Sequence, residues 1–356
     1  MTVRFGIVGS GYMARTYAGC LAGMVPGGSL SAIAGGSRAG SLAAEFKVQV
    51  EPDLGSLLSR PDVDAVILAT PHSLHAGPTE QAAAAGKHVY VEKPMARDVA
   101  ECDAMIAACR KAGVKLAVNK VLRFRHAASA AREVVQSGQI GEVRMLRARY
   151  SYAGSIVSDK KWTLDRDEGS PFLNWGAHCA DLFRWISGAE AVSAFAVYGS
   201  FSGTSPADQS AMVTFNLSSG AVAQSWMSFE LPKPGLLPAD AYLFVGSHGM
   251  VELETFGQVR VGDEAGWRVV TEQPKFDFLA DPLNPNRLKG FAAQVADFIQ
   301  AIEEDREPLV TGADGRAAVE MVEAADRSAA SGRSVRIPFA PLAGASYEER
   351  RALQAR

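Results

Sequence analysis

The 356-residue sequence predicts an α/β domain on a doubly wound parallel sheet, followed by a second domain whose strands pair mainly antiparallel. Three observations lead there. Short apolar runs alternate with helical patterns through the first third of the chain. A glycine-rich turn, Gly9-Ser10-Gly11-Tyr12-Met13-Ala14, joins the first apolar run to the first helix. After residue 123 the strands lengthen, alternate in polarity and are separated by turn residues.

Val3–Val8 is the first strand and Tyr12–Met24 the first helix; Leu30–Ala34 and Ala39–Phe46 repeat the pattern. The run Ala65–Ala69 (AVILA) is the third strand, followed by an alanine-rich helix, Thr79–Ala85. His88–Val91, the helix Val99–Ala112 and Lys115–Val118 complete the series. Strands alternating with helices make βαβ units and a parallel sheet covered on both faces. The later part opens with a helix over Ala127–Ser137, ended by Gly138. Strands follow at Val143–Tyr152, Val192–Phe201, Ser210–Asn216, Val222–Phe229, Ala241–Val245 and Met250–Thr255, with a helix, Phe172–Ile186, between the first two. Helices Phe291–Glu304 and Asp314–Ser331 and a short strand, Val335–Ile337, close the pattern. The expected division is a first domain over 1–122, a second over 123–337 and a polar tail over 338–356.

Composition narrows the function. Hydrophobic residues make up 47% and charged residues 21%, a balance suited to a soluble globular chain. The formal charge of -3 gives no electrostatic footprint for nucleic acid or an anionic membrane. No apolar run is long enough to span a bilayer, and MTVRFGIVGSG enters a strand without an export signal. Cys20, Cys102, Cys109 and Cys179 show no metal or redox spacing, so reduced thiols in a cytoplasm are expected.

Gly9-x-Gly11-x-x-Ala14 between a strand and a helix is a dinucleotide-binding pattern. Gly9 allows the tight turn, Gly11 lets a pyrophosphate approach the backbone, and Ala14 keeps the helix close to the sheet. The amides of Tyr12 and Met13 at the helix start face the phosphates. An NAD site usually ends its second strand on Asp or Glu for the ribose 2′-OH. Here the strand ends Ala34-Gly35-Gly36-Ser37-Arg38, with no carboxylate before Glu45. Ser37 and Arg38 suit a 2′-phosphate, so NADP is preferred over NAD. The third strand ends Thr70-Pro71-His72-Ser73-Leu74-His75. A zinc site on His72 and His75 lacks a third ligand nearby; Thr70 and Pro71 are read as passing along the cofactor, and His75 as lying under the next helix or near the nicotinamide ribose.

The fourth strand ends on Glu92-Lys93-Pro94. With the glycine loop and the TPxxxH stretch at 70–75, and with closing helices that match in style and order, the chain resembles the Gfo/Idh/MocA oxidoreductases over nearly its whole length. The resemblance implies an α/β Rossmann domain plus an α+β C-terminal domain with a large open, mainly antiparallel sheet. It implies hydride transfer between NAD(P) and a secondary alcohol or ketone of a sugar, inositol or cyclic diol. It also implies a homodimer or homotetramer packed through the open sheet. Lys93 would meet both nicotinamide and substrate, stabilising alkoxide character on the reacting oxygen. Glu92 would orient the loop and touch the nicotinamide side, and Pro94, cis or trans, would aim Lys93. Asn119 and Arg123, at the domain junction, are further cofactor candidates.

The family carries an Asp-x-x-x-His pair on a helix of its second domain. Here His178 falls on the histidine, but Asn174 falls on the aspartate. Asparagine can hold a hydroxyl but cannot take its proton, so His178 is the expected acid/base group and Asn174 a positioning residue. Tyr152 and Trp175 are the expected aromatic substrate contacts. Trp162 is a further aromatic near this helix and a cofactor-binding candidate; Lys160, Lys161 and Arg166 could reach cofactor phosphate or an acidic substrate. Two alternatives stand beside this reading: an enzyme that oxidises a sugar transiently and retains its cofactor, and a non-catalytic nucleotide sensor, which the departure at Asn174 supports. No metal is expected.

Overall fold

The computed structural model describes residues 2–153, 168, 170–201, 208–274, 276 and 280–339. In chain order it runs β1 (Val3–Val8), α1 (Tyr12–Leu21), β2 (Gly28–Ala34), α2 (Ala39–Phe46), β3 (Gln49–Glu51), α3 (Leu54–Leu58), β4 (Ala65–Leu68), α4 (Ala76–Ala84), β5 (His88–Val91), α5 (Val99–Ala112) and β6 (Leu116–Val118). Next come α6 (His126–Gln136), β7 (Val143–Ala153), α7 (Pro171–Ser187), β8 (Ala191–Gly199), β9 (Ser210–Leu217), β10 (Val222–Leu231), β11 (Asp240–Gly246), β12 (Met250–Glu254), β13 (Gln258–Asp263) and β14 (Gly266–Glu272). The last elements are α8 (Pro285–Glu303), α9 (Gly312–Ser331) and β15 (Val335–Arg336). The chain divides into two compact units, Met1–Phe124 with Phe276–Arg316 and Arg125–Lys275 with Ala317–Arg356.

The first unit holds a six-stranded parallel sheet in the order β3-β2-β1-β4-β5-β6. Ile7 pairs with Ile33 on one side and Ile67 on the other, and Ile67 pairs with Tyr90. Every residue of β4 is buried, as a strand covered on both faces requires. The order reverses between β2 and β4 at β1, so the crevice for a ligand opens at the carboxyl ends of these strands. Helix α5 begins where the Asp98 carboxylate accepts the Glu101 amide at 2.8 Å, and ends at Gly113 with φ 68°.

The contiguous boundary expected near 123 differs from this division, because α8 belongs to the first unit. Its Phe298 is fully buried, 6.4 Å from the ring of Phe5 and 5.8 Å from that of Tyr90. Phe291 meets Tyr17 edge-on at 5.8 Å. An apolar helix face distant in sequence thus completes the nucleotide unit's core.

The second unit holds a nine-stranded sheet in the order β14-β13-β12-β11-β7-β10-β9-β8-β15. It is antiparallel except where β7 and β10 run parallel. Helices α6 and α7 pack on it. Strand residues facing the helices are buried, including Leu146, Ala148, Val213, Phe215, Tyr242 and Phe244. Alternate residues stay exposed: Met145, Val197 and Met212 are 61%, 60% and 58% accessible. Val197 pairs with Met212, and Met145 with Val222, so one sheet face carries a row of apolar side chains.

Phe298→Ala is expected to lower unfolding stability by about 3–5 kcal/mol, the cost of a large core cavity. Chemical denaturation followed by circular dichroism checks it.

Candidate active site

The glycine loop leaves β1 at the centre of the parallel sheet. Gly9 has φ 112°, and a Cβ there would stand 2.5 Å from the Ala69 carbonyl oxygen, so only glycine fits. Gly11 caps α1; a Cβ on it would meet nothing within 4 Å except the Arg38 guanidinium, at 3.8 Å. That space, at the N-terminus of α1, suits a pyrophosphate. Ala14 is fully buried, as the close helix–sheet contact requires.

The turn after β2 folds back on this loop. Gly35 and Gly36 have φ 77° and 80°, and the Arg38 amide donates to Ser10 Oγ at 3.1 Å. Ser37 and Arg38 are exposed. Glu45, the first carboxylate beyond them, is tied to Arg15 at 2.8 and 3.0 Å.

Beyond β4, Thr70 and Pro71 are half-buried and Thr70 Oγ1 donates to the Leu74 carbonyl. His75 is buried, with Nε2 3.0 Å from the Thr70 oxygen and Nδ1 3.1 Å from that of Pro94. At the end of β5, Glu92 is 4% exposed and Lys93 half-buried, and the Lys93–Pro94 bond is cis. Glu92 Oε1 accepts from Tyr17 OH at 2.5 Å and Asn119 Nδ2 at 2.8 Å; Oε2 accepts the Lys93 amide at 3.0 Å. Burial, then the Glu92 charge, pushes the Tyr17 phenol well above its ordinary value, so it stays a donor. Arg123 pairs with Asp314 at 3.0 Å. Burial raises the Asp314 carboxyl, but the Arg123 charge and bonds from Thr311 outweigh it and leave the pKa lowered. The first unit therefore gathers Glu92, Lys93, Asn119 and His75 around one turn and directs Arg123 into an ion pair.

In the second unit, α7 starts where Ser170 Oγ accepts the Leu173 amide at 3.0 Å, with Pro171 in its first turn. Asn174 and His178 lie one helical turn apart and half-buried, and Asp181 is buried. Trp175 sits in an aromatic cluster, its ring 5.9 Å from Tyr150, 5.8 Å from Tyr152 and 5.4 Å from Phe229. Tyr152 donates its hydroxyl to Asp240. Asp240 is a group the sequence reading missed. Burial pushes its carboxyl up to about 7, against the opposing pull of the Tyr152 bond and the Arg149 charge. A carboxyl poised there can donate or accept a proton near neutrality. Its only sequence signal is Pro238-Ala239-Asp240 before a strand, which reads as a turn. Lys160, Lys161, Trp162 and Arg166 lie outside the described residues.

Among the described residues, no three His, Cys, Asp or Glu side chains gather as a metal-binding group. No helix among the described residues is long and apolar enough to cross a membrane. The four cysteines are free and buried.

Comparison with known proteins adds independent findings. Residues 3–120 match the oxidoreductase family with an NAD-binding Rossmann fold, and residues 128–252 match the GFO/IDH/MocA C-terminal domain. The chain is 29% identical to inositol 2-dehydrogenase of Rhizobium meliloti, over 95% of this chain and 100% of that protein. It is 31% identical to 2,7-anhydro-N-acetylneuraminate hydratase of Mediterraneibacter gnavus, a match spanning 52% of this chain and 50% of that protein. Among solved structures, aldose-aldose oxidoreductase from Caulobacter crescentus, complexed with glycerol, superposes with a TM-score of 0.81 at 27% identity, covering 95% of this chain and 100% of that one.

Asp240 gives a pH-dependent stability of defined sign. Its folded pKa is raised, so the native state keeps a proton that the unfolded chain releases. The resulting stabilisation is present below about pH 4 and lost as pH rises through about 7. Asp240→Asn keeps an acceptor for Tyr152 without the charge. Its melting temperature is expected to gain on the wild type by a few degrees between about pH 5 and about pH 8.5. Calorimetry at the two pH values checks it.

Proposed function

The chain belongs to the Gfo/Idh/MocA oxidoreductase family, and on that premise we propose that it moves hydride between NADP and a secondary alcohol or ketone of a sugar, inositol or cyclic diol. What supports the reading most directly is the arrangement of the first unit: a glycine loop open at Gly11, and a half-buried Lys93 on a turn held by Glu92. The dinucleotide, held by the loop from Gly9 to Ala14 and by Ser37 and Arg38, would supply the hydride acceptor or donor. The protein's residues do the rest. The Lys93 ammonium hydrogen-bonds the reacting oxygen and stabilises the negative charge that develops there. His178, a residue type that titrates near neutrality, serves as the acid/base group. Asn174 positions a hydroxyl, and Tyr152 and Trp175 offer aromatic faces to the apolar faces of a ring.

The preference for NADP draws on three observations. Arg38 stands at the mouth of the glycine loop. Ser37 is exposed beside it. Glu45 is already committed to Arg15, leaving no acidic partner for a 2′-hydroxyl at the end of β2. Packing of copies through the apolar sheet face around Val197 and Met212 would form a homodimer or homotetramer, and the free thiols suit a cytoplasmic location.

A second reading is transient oxidation with the dinucleotide retained. The names of two relatives, a hydratase and an aldose-aldose oxidoreductase, agree with it.

Reduced-nicotinamide absorbance on a panel of sugars, inositols and cyclic diols, with NADP⁺ and NAD⁺, is expected to give steady turnover, faster with NADP⁺. Silence with nucleotide bound would favour the second reading or a sensor. In Lys93→Met, turnover is expected to fall by roughly 10²–10⁴-fold with dinucleotide affinity nearly unchanged. Unchanged turnover would remove Lys93 from the chemistry. Arg38→Ala is expected to weaken NADPH relative to NADH by about tenfold, the loss of one charge-assisted contact. Fluorescence titration measures both affinities, and equal affinities in the wild type would contradict the NADP assignment.

A further inference from the structure

We propose that His75 is a positioning residue whose Nδ1–H holds the backbone of the turn carrying Lys93. His75 is 1% exposed and stands where the short helical turn His72–Leu74 passes into α4. Its ring is bounded by carbonyl oxygens. Nδ1 lies 3.1 Å from that of Pro94 and 3.2 Å from that of Met95; Nε2 lies 3.0 Å from that of Thr70. A carbonyl oxygen only accepts, so a contact is a hydrogen bond only where the ring nitrogen carries a proton.

A neutral imidazole carries one such proton. Two carbonyls converge on Nδ1 and one on Nε2, so the single proton belongs on Nδ1, where it is shared between Pro94 and Met95. Burial is the largest influence on the ring and disfavours a second proton. It leaves the pKa below the ordinary histidine value, against the Glu92 charge and the Thr70, Met95 and Pro94 carbonyls, which favour protonation. At neutral pH the ring therefore keeps one proton and commits it to the Lys93 turn.

Glu92 grips the same turn from its other end, accepting the Lys93 amide. The backbone is thus fixed at the Lys93 amide by a carboxylate and at the Pro94 and Met95 carbonyls by an imidazole. A lysine side chain has four rotatable bonds, and its reach is defined only if its backbone is. The consequence for turnover rests on the reading of Lys93 as the group at the reacting oxygen. The tautomer does not.

Nitrogen-15 NMR on histidine-labelled protein tests this directly, with the His75 signals identified by their loss in His75→Gln. At about pH 7.5, above the ordinary histidine pKa, the expected state has Nδ1 protonated and Nε2 bare. A ring protonated on Nε2 alone overturns the proposal. Amide hydrogen exchange gives a second reading. Asparagine can place its NH₂ near the position of Nδ1, and glutamine near that of Nε2. Exchange across residues 93–97 is expected to rise by about tenfold or more in His75→Gln, the loss of one buried hydrogen bond, and to stay near wild type in His75→Asn. Equal exchange in the two variants overturns the proposal. On a turned-over substrate, His75→Gln is expected to lose kcat while the dinucleotide Kd is unchanged. Should Lys93 not be catalytic, the exchange difference would persist without the kcat difference.

Discussion

The buried Glu92 carboxylate ties together the parts of the nucleotide unit that must stay in register. Its three donors come from three places: Tyr17 on α1, Asn119 after β6 and the Lys93 amide at the end of β5. Helix α1 also presents the phosphate loop, so the loop and the lysine turn are referenced to one group. A buried carboxylate is tolerated because its lone pairs are met by donors; removing one donor would leave an acceptor unsatisfied at a cost of about 1–3 kcal/mol. Aromatic packing keeps the arrangement dry. The Tyr17 ring meets Tyr90 edge-on at 5.4 Å and Phe291 at 5.8 Å, and Phe291 arrives from α8, far along the chain.

The second unit meets a different demand. A nine-stranded sheet with helices on one face leaves its other face to solvent or to another copy. On the helix side, Tyr150 and Tyr242 share a hydrogen bond at 2.8 Å, and Tyr152 stacks on Phe229 at 6.0 Å. These contacts place the Tyr152–Asp240 pair among aromatic rings. The low polarity that suits a sugar's apolar faces is also what raises the Asp240 carboxyl.

Much of the fold was legible because its periodicities are local. The alternation of β1, β4 and β5 with α1, α4 and α5 follows from apolar runs and helical spacing, and Gly9-x-Gly11 marks the ligand end of the sheet. The misses have physical reasons. β3 is three residues with a largely exposed face, and nearly all of β14 is exposed, so neither has the buried stripe that signals a strand. Helix α8 begins at Pro285 rather than Phe291, although Asn284 and Pro285 spell a helix start. Its place in the first unit comes from contacts with Phe5, Tyr17 and Tyr90 that no local pattern encodes. The site divides in the same way. Lys93 and His178 stand out as chemistry-bearing residues at strand and helix positions. Asp240 does not, because its environment is made by β7 and by register: Asp240 pairs with Tyr150, and Tyr152 follows on the same strand. The ring of carbonyls around His75 is likewise a product of folding, since Thr70 and Pro94 meet only when β4 and β5 lie side by side.

The account centres on hydride transfer at a nicotinamide beside Lys93, and a single-turnover experiment tests that most directly. Protein saturated with NADP⁺ is mixed rapidly with each member of a polyol and sugar panel, and near-ultraviolet absorbance is followed. The account predicts that at least one substrate produces a single exponential rise toward one reduced nicotinamide per site, whether or not the dinucleotide is later released. Nucleotide bound at every site with no reduced nicotinamide from any alcohol, and no oxidation of bound NADPH by the matching ketones, would contradict it.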